Sequence, residues 1–532
     1  MGISDVRGAE PPVEDDGAGP RTGPRSGPGA EPPDAPAAAP GHGPPPAVAW
    51  RPIAAVAALT GLARVLTNPL FDHGGDELYF VAVGRRYLGS TWADQPPLVP
   101  ALAGAMDAVA PGSQTVLRLP SVLAVVAALV LTALLAREFG GGRRAQVLAA
   151  VVFATSSFFS LGSRMNAHPF EVLAWTAAVL LLVMWVNRRD DRLLLGAGAV
   201  TAAGLQTSLH FLEFWAVAVV VVLACGPREL LRRPMLWAAG AVSVLALVPT
   251  VLWSAANGWR HLERIGQTSS EGDPIVNRVA LLPMSLVYAG FVVAAALLLY
   301  GAWQLLRSPD LRPYRFLGWF AVGLVVLYIA ANGKGYYTMG LFPLCWAAAS
   351  VELLRRPRPR WARRVFWSAL AVSTVITLAP TLAADTMVPH WRRQAAAVFD
   401  VHERMPPARR SATVVVSHQY GLATAIDRYG PGHGVSRAYS PEGGYWYFGT
   451  PPQSATNTIY IGSDRADLLE YFTDVRPAGR VPDGDWLERG SAGEPIWLCS
   501  GLRESWAKTW ERMRRVQLSG QTGHGSDGKS IR

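Results

Sequence analysis

Charge is scarce in this 532-residue chain: Asp, Glu, Lys and Arg together make up 17% of it, against roughly 25% in an ordinary soluble domain. Lysine is almost missing. Of the 49 basic residues all but three are arginine, the lysines standing at 334, 508 and 529. Cysteine is nearly missing too. Of Cys225, Cys345 and Cys499 only the last falls outside an apolar run, which excludes a disulfide framework. The first 47 residues lack the basic and apolar regions of a signal peptide, and no internal repeat of the kind that marks many transporters is visible. What the chain does have is hydrophobic residues, half of the total. They gather in runs of about 17–25, each long enough for a bilayer core of roughly 30 Å. A soluble globular enzyme and a disordered scaffold are both ruled out. The formal charge of +10 does not point to nucleic acid, because most of the arginines flank apolar runs and so carry topology.

The chain reads as a polytopic α-helical membrane protein of four parts. Residues 1–47, rich in Pro, Gly and Ala, predict a disordered tail. Residues 48–384 form a membrane domain with a long outer loop at 68–115. Residues 385–518, with short β-rich runs at Thr413–Ser417, Thr458–Gly462 and Pro495–Leu498, predict a small extracytoplasmic α/β domain. Residues 519–532 predict a second disordered tail. The spans fall at about 48–67, 116–136, 145–161, 170–186, 193–209, 211–225, 235–256, 279–306, 316–331, 338–354 and 365–384, about eleven transmembrane helices. The region 193–225 is too long for one ordinary span and is divided at His210. The loops at 137–144, 187–192, 226–234, 307–315 and 355–364 hold eighteen arginines, and the opposite set holds seven basic residues in more sequence. The positive-inside rule places the first set, and the N-terminus, in the cytoplasm and the C-terminal domain outside. Treating 193–225 as one span would reverse every later loop.

The loop 68–115 far exceeds the usual connection of about 2–8 residues. Leu78–Leu88 and Leu98–Val109 predict amphipathic helices at the membrane surface. Between and before them stand Asp94 in Trp92-Ala93-Asp94-Gln95-Pro96-Pro97 and the pair Asp76-Glu77. Asp76-Glu77 has two readings, helix capping and chemistry, and the two can coincide. Arg118, His168, Glu171, His210, Glu213 and Lys334 lie at the outer ends of the predicted helices, on the same side as Asp76, Glu77 and Asp94. Ionisable groups gathered at one leaflet rather than at the midplane favour surface chemistry over transport. Such chemistry needs a carboxylate to accept the proton of an attacking hydroxyl, which Asp76 supplies. It also needs positive charge to meet a departing phosphate, for which Arg118 or Lys334 is available. Asp76, Glu77, Asp94 and His168 would make an oxygen-rich set for a divalent metal, though no ligand spacing demands one. No other cofactor is indicated.

Several of these residues stand in a recognisable series. Asp76-Glu77-Leu78-Tyr79-Phe80, Asp94-Gln95-Pro96-Pro97-Leu98-Val99, Arg118-Leu119-Pro120-Ser121 and Gly333-Lys334-Gly335-Tyr336-Tyr337, in this order, resemble the bacterial glycosyltransferase family 39. The resemblance covers most of 50–385 and continues through Tyr420-Gly421, Ala425–Gly430 and Tyr445–Gly449. This family has the GT-C fold and is related to protein O-mannosyltransferases and to the aminoarabinose transferases of lipid A. The resemblance implies a GT-C-like membrane domain and a polyprenyl-phosphate sugar as donor. It further implies an acceptor hydroxyl on protein, lipid or cell-wall glycan at the outer face of the membrane, and inversion at the anomeric carbon. It assigns Asp76, with Glu77 beside it, to the catalytic step. Asp94, Arg118, His168, Glu171, His210, Lys334, Tyr336 and Tyr337 go to the donor phosphate and substrate.

Two departures fall at this site. Where relatives often read Thr-Thr-Asp-Ala-Phe-Glu, the chain has Asn166-Ala167-His168-Pro169-Phe170-Glu171, and where they often read Asn-Lys-Tyr it has Thr207-Ser208-Leu209. They imply either a changed donor or acceptor, with His168 or His210 as a substitute contact, or a paralogue that binds without turning over. The competing readings are a polytopic transporter or flippase, and a non-catalytic cell-envelope assembly protein on the same scaffold.

Overall fold

Long apolar runs inside a bilayer must satisfy their own backbone polar groups, and a helix does so within one segment. The computed structural model describes residues 45–89, 95–157, 164–259, 274–357, 359–386, 391–482, 491 and 493–523. The tail expected at 1–47 falls almost wholly outside them, as do Asp94, residues 260–273 and residues 524–532.

The membrane domain comprises α1 (Trp50–Thr67), α2 (Gly75–Ala82), α3 (Leu98–Val109), α4 (Gln114–Glu138), α5 (Arg143–Ala154), α6 (His168–Arg188), α7 (Arg192–Leu205) and α8 (His210–Cys225). It continues with α9 (Pro234–Ala256), α10 (Pro274–Ala289), α11 (Val293–Arg307), α12 (Arg315–Ala330), α13 (Phe342–Arg355) and α14 (Arg360–Thr386). Among the described residues seven helices are long and apolar enough to cross a membrane: α1, α4, α6, α9, α12, α13 and α14, some lengthened by a flanking turn. The division of 193–225 is present as the break between α7 and α8. Two other runs differ from expectation. The run 145–161 becomes a helix that ends at Ala154. The run 279–306 is not one straight span, because α10 and α11 meet at 114°. Hydropathy does not register that bend. It opens at Gly290, whose φ of +106° suits a residue without Cβ, and Ser373 Oγ accepts the freed Val293 N–H at 2.9 Å.

All five arginine-rich loops meet at one end of the bundle. Glu138 pairs with Arg137 and Arg188, both at 2.7 Å. Arg189 binds Glu229, Arg233 lies 3.6 Å from Asp191, and Arg355 pairs with Asp310 and reaches the Phe139 carbonyl. Helix α2 and the starts of α6 and α8 lie at the other end.

Beyond α14 the chain forms α15 (Trp391–Arg404), α16 (Tyr420–Tyr429), α17 (Trp506–Gly523) and a five-stranded sheet. Its strands are β1 (Thr413–Ser417), β2 (Ala438–Tyr439), β3 (Asn457–Ile461), β4 (Phe472–Arg480) and β5 (Pro495–Leu502), in the order β2-β1-β3-β5-β4. The first three run parallel and the last two antiparallel. The period of two divides the sheet cleanly. Val415, Ile459 and Ile461 face α15 and α16, whereas Val414, Val416 and Tyr460 face Trp506 and Trp510 of α17. The first face also buries Leu78, Tyr79, Val83, Val99 and Ala103 of the loop 68–115. The loop helices therefore pack beneath the C-terminal domain as its floor. The Tyr87 ring stacks on Phe448 with centroids 4.2 Å apart.

Candidate active site

Helix α2 starts with two acidic residues in its first turn, where the dipole favours them, and the structure gives them different work. Glu77 is 1% exposed. Its Oε2 accepts the Gly74 N–H at 2.9 Å, a capping contact, and its Oε1 accepts the Met165 N–H at 2.8 Å. Arg118, fully buried, donates Nε and Nη2 to the two carboxylate oxygens, each at 2.8 Å. Its other N–H groups reach the carbonyls of Asn68 (2.9 Å), Phe71 (3.2 Å) and Asp72 (2.7 Å). Five donors thus have five acceptors, the full capacity of a guanidinium. Burial alone would raise the Glu77 carboxyl, but the hydrogen bonds and charge of Arg118 outweigh it and hold it at about 2. In this geometry both Glu77 oxygens are engaged by Arg118, and the remaining Arg118 donors are taken up by the loop carbonyls.

Asp76, one residue earlier, is exposed. Its Oδ1 accepts a hydrogen bond from the Tyr420 hydroxyl at 2.9 Å, across 344 positions of sequence. The starts of α2 and α16 are set against each other by Trp391, whose indole lies between them. A Cβ at Gly75 would stand 3.1 Å from that ring, and one at Gly421 2.7 Å from it. Neither helix start would approach so closely with a side chain there.

Next to Asp76 the starts of α6 and α8 repeat one arrangement, a histidine with a glutamate three residues on and so on the same face. His168 Nδ1 lies 4.0 Å from Glu171 Oε2, and His210 Nδ1 lies 3.0 Å from Glu213 Oε2. The tyrosine pair bridges the two: His168 and Tyr336 have ring centroids 5.0 Å apart, His210 and Tyr337 4.4 Å, and Tyr336 and Tyr337 4.9 Å. Tyr288 stands against Tyr336 and Tyr328 against Tyr337. Lys334 is half-buried at the start of the tight turn Gly335–Leu341, which carries both tyrosines.

Of the residues singled out from sequence, Asp76, His168, Glu171, His210, Lys334, Tyr336 and Tyr337 come to the same end of the bundle. Glu77 and Arg118 lie there too, paired with each other, and Asp94 is outside the described residues. Sequence reasoning did not assign roles to Tyr420, Trp391, Tyr288, Tyr328 or Glu213. Tyr420 had only its place in a recognised motif to mark it. Among the described residues no group of three or more His, Cys, Asp or Glu side chains is placed to hold a metal ion.

Beside His210, Phe211 begins an apolar cavity of about 300 Å³ between α6, α7, α8, α9 and α12, lined further by Leu205, Trp215, Val222, Leu247 and Phe320. Its lining is almost wholly apolar, with the hydroxyls of Thr201 and Ser243 as exceptions.

Residues 94–253 match the dolichyl-phosphate-mannose-protein mannosyltransferase family. Among solved structures, the chain is similar to ArnT from Cupriavidus metallidurans bound to undecaprenyl phosphate. The TM-score is 0.56 at 14% identity, covering 84% of this chain and 97% of that one. The apo form of ArnT from the same organism gives 0.56 at 13% with the same coverage. The apo oligosaccharyltransferase of Archaeoglobus fulgidus gives 0.49 at 13%, over 74% of this chain and 64% of that one. No curated protein sequence matches. At such identities structural likeness shows the fold alone, and the family match covers less than a third of the chain. The chain thus has the GT-C fold, with several helices long and apolar enough to cross a membrane, and over residues 94–253 it is similar to the protein mannosyltransferases.

Proposed function

We propose that the protein transfers a sugar from a polyprenyl-phosphate donor to an acceptor hydroxyl on protein, lipid or glycan, at the outer face of the cytoplasmic membrane. The observation that carries this reading is the division of labour in α2. Glu77 is consumed by Arg118, whereas Asp76 stands exposed at the same helix start, one of its oxygens held by a single hydroxyl. Asp76 is the base. Its carboxylate takes the acceptor proton while the acceptor oxygen attacks the anomeric carbon from the face opposite the phosphate. The bond from that carbon to the phosphate oxygen breaks with its electron pair on the leaving group, and the configuration inverts.

Polyprenyl phosphate leaves as an anion, so it needs cations more than a proton. Lys334 meets it, and the tyrosines and histidines around Lys334 line the sugar. The lipid tail has the apolar cavity beside His210 for its first units. Undecaprenyl phosphate bound to ArnT supports a donor of this class. The arginine-rich end faces the cytoplasm by the positive-inside rule, which puts α2, the active site and the C-terminal domain outside.

The test is release of undecaprenyl phosphate by purified protein in lipid nanodiscs. A panel of undecaprenyl-phosphate hexoses and pentoses, beginning with mannose, serves as donor, and a membrane extract supplies acceptors. Release with one sugar, lost in Asp76→Asn, is the expected result. Release that persists in Asp76→Asn would remove Asp76 as base. Absence of both release and donor binding across the panel would turn the reading toward transport or assembly.

A further inference from the structure

We infer that Tyr420, carried by the C-terminal domain, is a positioning residue for the transfer step, resting on the reading of Asp76 as base. A general base must hold one oxygen within hydrogen-bond reach of the proton it takes, and a misplacement of about 1 Å costs heavily in rate. An exposed aspartate at a helix start turns freely about two torsions. The Tyr420 hydroxyl removes that freedom by donating to Oδ1 at 2.9 Å, so that Oδ2 is the oxygen left to take the acceptor proton.

Tyr420 is itself held from three directions. Its ring packs edge-on against Tyr79, three residues along the helix that carries Asp76, with centroids 5.3 Å apart. Its backbone N–H donates to Glu442 Oε2 at 2.7 Å, and the Glu442 N–H is anchored on Ser440 Oγ at 3.2 Å. Trp391 fixes the separation of the two helix starts through Gly75 and Gly421, the chain neighbours of Asp76 and Tyr420. A chance contact between exposed side chains has no such scaffolding. During transfer the acceptor proton passes to Oδ2 and Tyr420 keeps its own proton throughout, so its contribution is orientation. The base stands on the membrane domain and its alignment comes from the C-terminal domain, which makes the two halves one catalytic unit.

The experiment is a double-mutant cycle in nanodiscs, using the undecaprenyl-phosphate sugar that wild type consumes. Tyr420→Phe keeps the ring and its packing. It should lower kcat about tenfold, the scale of one hydrogen bond to a charged group, with donor KM and the thermal unfolding midpoint unchanged. Added to Asp76→Asn, the same change should cost nothing further in residual release. Unchanged kcat in Tyr420→Phe beside an impaired Asp76→Asn would overturn this inference and leave the base assignment standing. So would an equal tenfold loss in both backgrounds, which marks a purely structural role. Full turnover in Asp76→Asn would overturn the base assignment and this inference together.

Discussion

Carboxylates occupy both ends of the helical bundle and keep different company. At the arginine-rich end Glu138 is 4% exposed and accepts from Arg137, Arg188 and Asn187. At the α2 end Glu171 and Glu213 face His168 and His210, and Asp76 faces a tyrosine hydroxyl. Arginine is always charged and presents a rigid fork, so its pairs are fixtures. Histidine gains and loses a proton near neutral pH, and a hydroxyl both gives and accepts hydrogen bonds. A carboxylate among such partners can take part in proton movement. The partner therefore tells more about an acidic residue than its location does. Glu77 lies at the α2 end, yet by its partner Arg118 it resembles Glu138.

The sharpest way to break this comparison is to exchange the expected phenotypes of neighbouring acids. Glu77→Gln leaves the Arg118 charge buried without a counter-ion, and should cost about 3–5 kcal/mol of stability, read as a fall in the thermal midpoint in nanodiscs. Asp76→Asn should leave that midpoint unchanged and reduce transfer by at least about 10²-fold. A stable Glu77→Gln, or an Asp76→Asn that unfolds, would dissolve the distinction. Lys334→Ala should raise donor KM roughly tenfold through loss of a charge-assisted contact to phosphate. Unchanged donor affinity and rate would take Lys334 out of the site.

The smallest effect is one of pH. Glu77 titrates at about 2 in the fold, against an ordinary 4.5. A depressed carboxyl contributes its full stabilisation above the ordinary value and loses it as pH falls through the window toward the folded value. Thermal midpoints between pH 6 and pH 3 should therefore decline in wild type below about 4.5, and decline less in Glu77→Gln. Parallel curves would show that the pair adds no pH-dependent stability.

Much of the scaffold was legible because it follows from local pattern. Arginine placement marked the five loops that gather at one end, and it required the break between α7 and α8. Strands β1, β3 and β5 were visible as short β-rich runs, whereas β2 has only two residues and β4 has Pro477 and Gly479 within it. The bend at Gly290 escaped because hydropathy runs unbroken from α10 into α11. The site was legible in its members more than in their roles. Capping was a fair reading of Glu77, and the Gly74 N–H contact is there. The partners of Arg118 are carbonyls 46–50 positions upstream, which no side-chain pattern encodes. The meeting of Asp76 and Tyr420 depends on how a late domain docks on an early loop, and neither segment shows it alone.

The Arg118 clamp has one more consequence. It grips the entry to α2 by main-chain oxygens at Asn68, Phe71 and Asp72, so it is indifferent to most side chains there and sensitive to their spacing. Leu70, 70% exposed, should accept other apolar side chains. A single inserted or deleted residue between Pro69 and Asp72 would put a carbonyl out of the guanidinium's reach and carry the start of α2 with it. This stretch should tolerate changes of spelling and refuse changes of length.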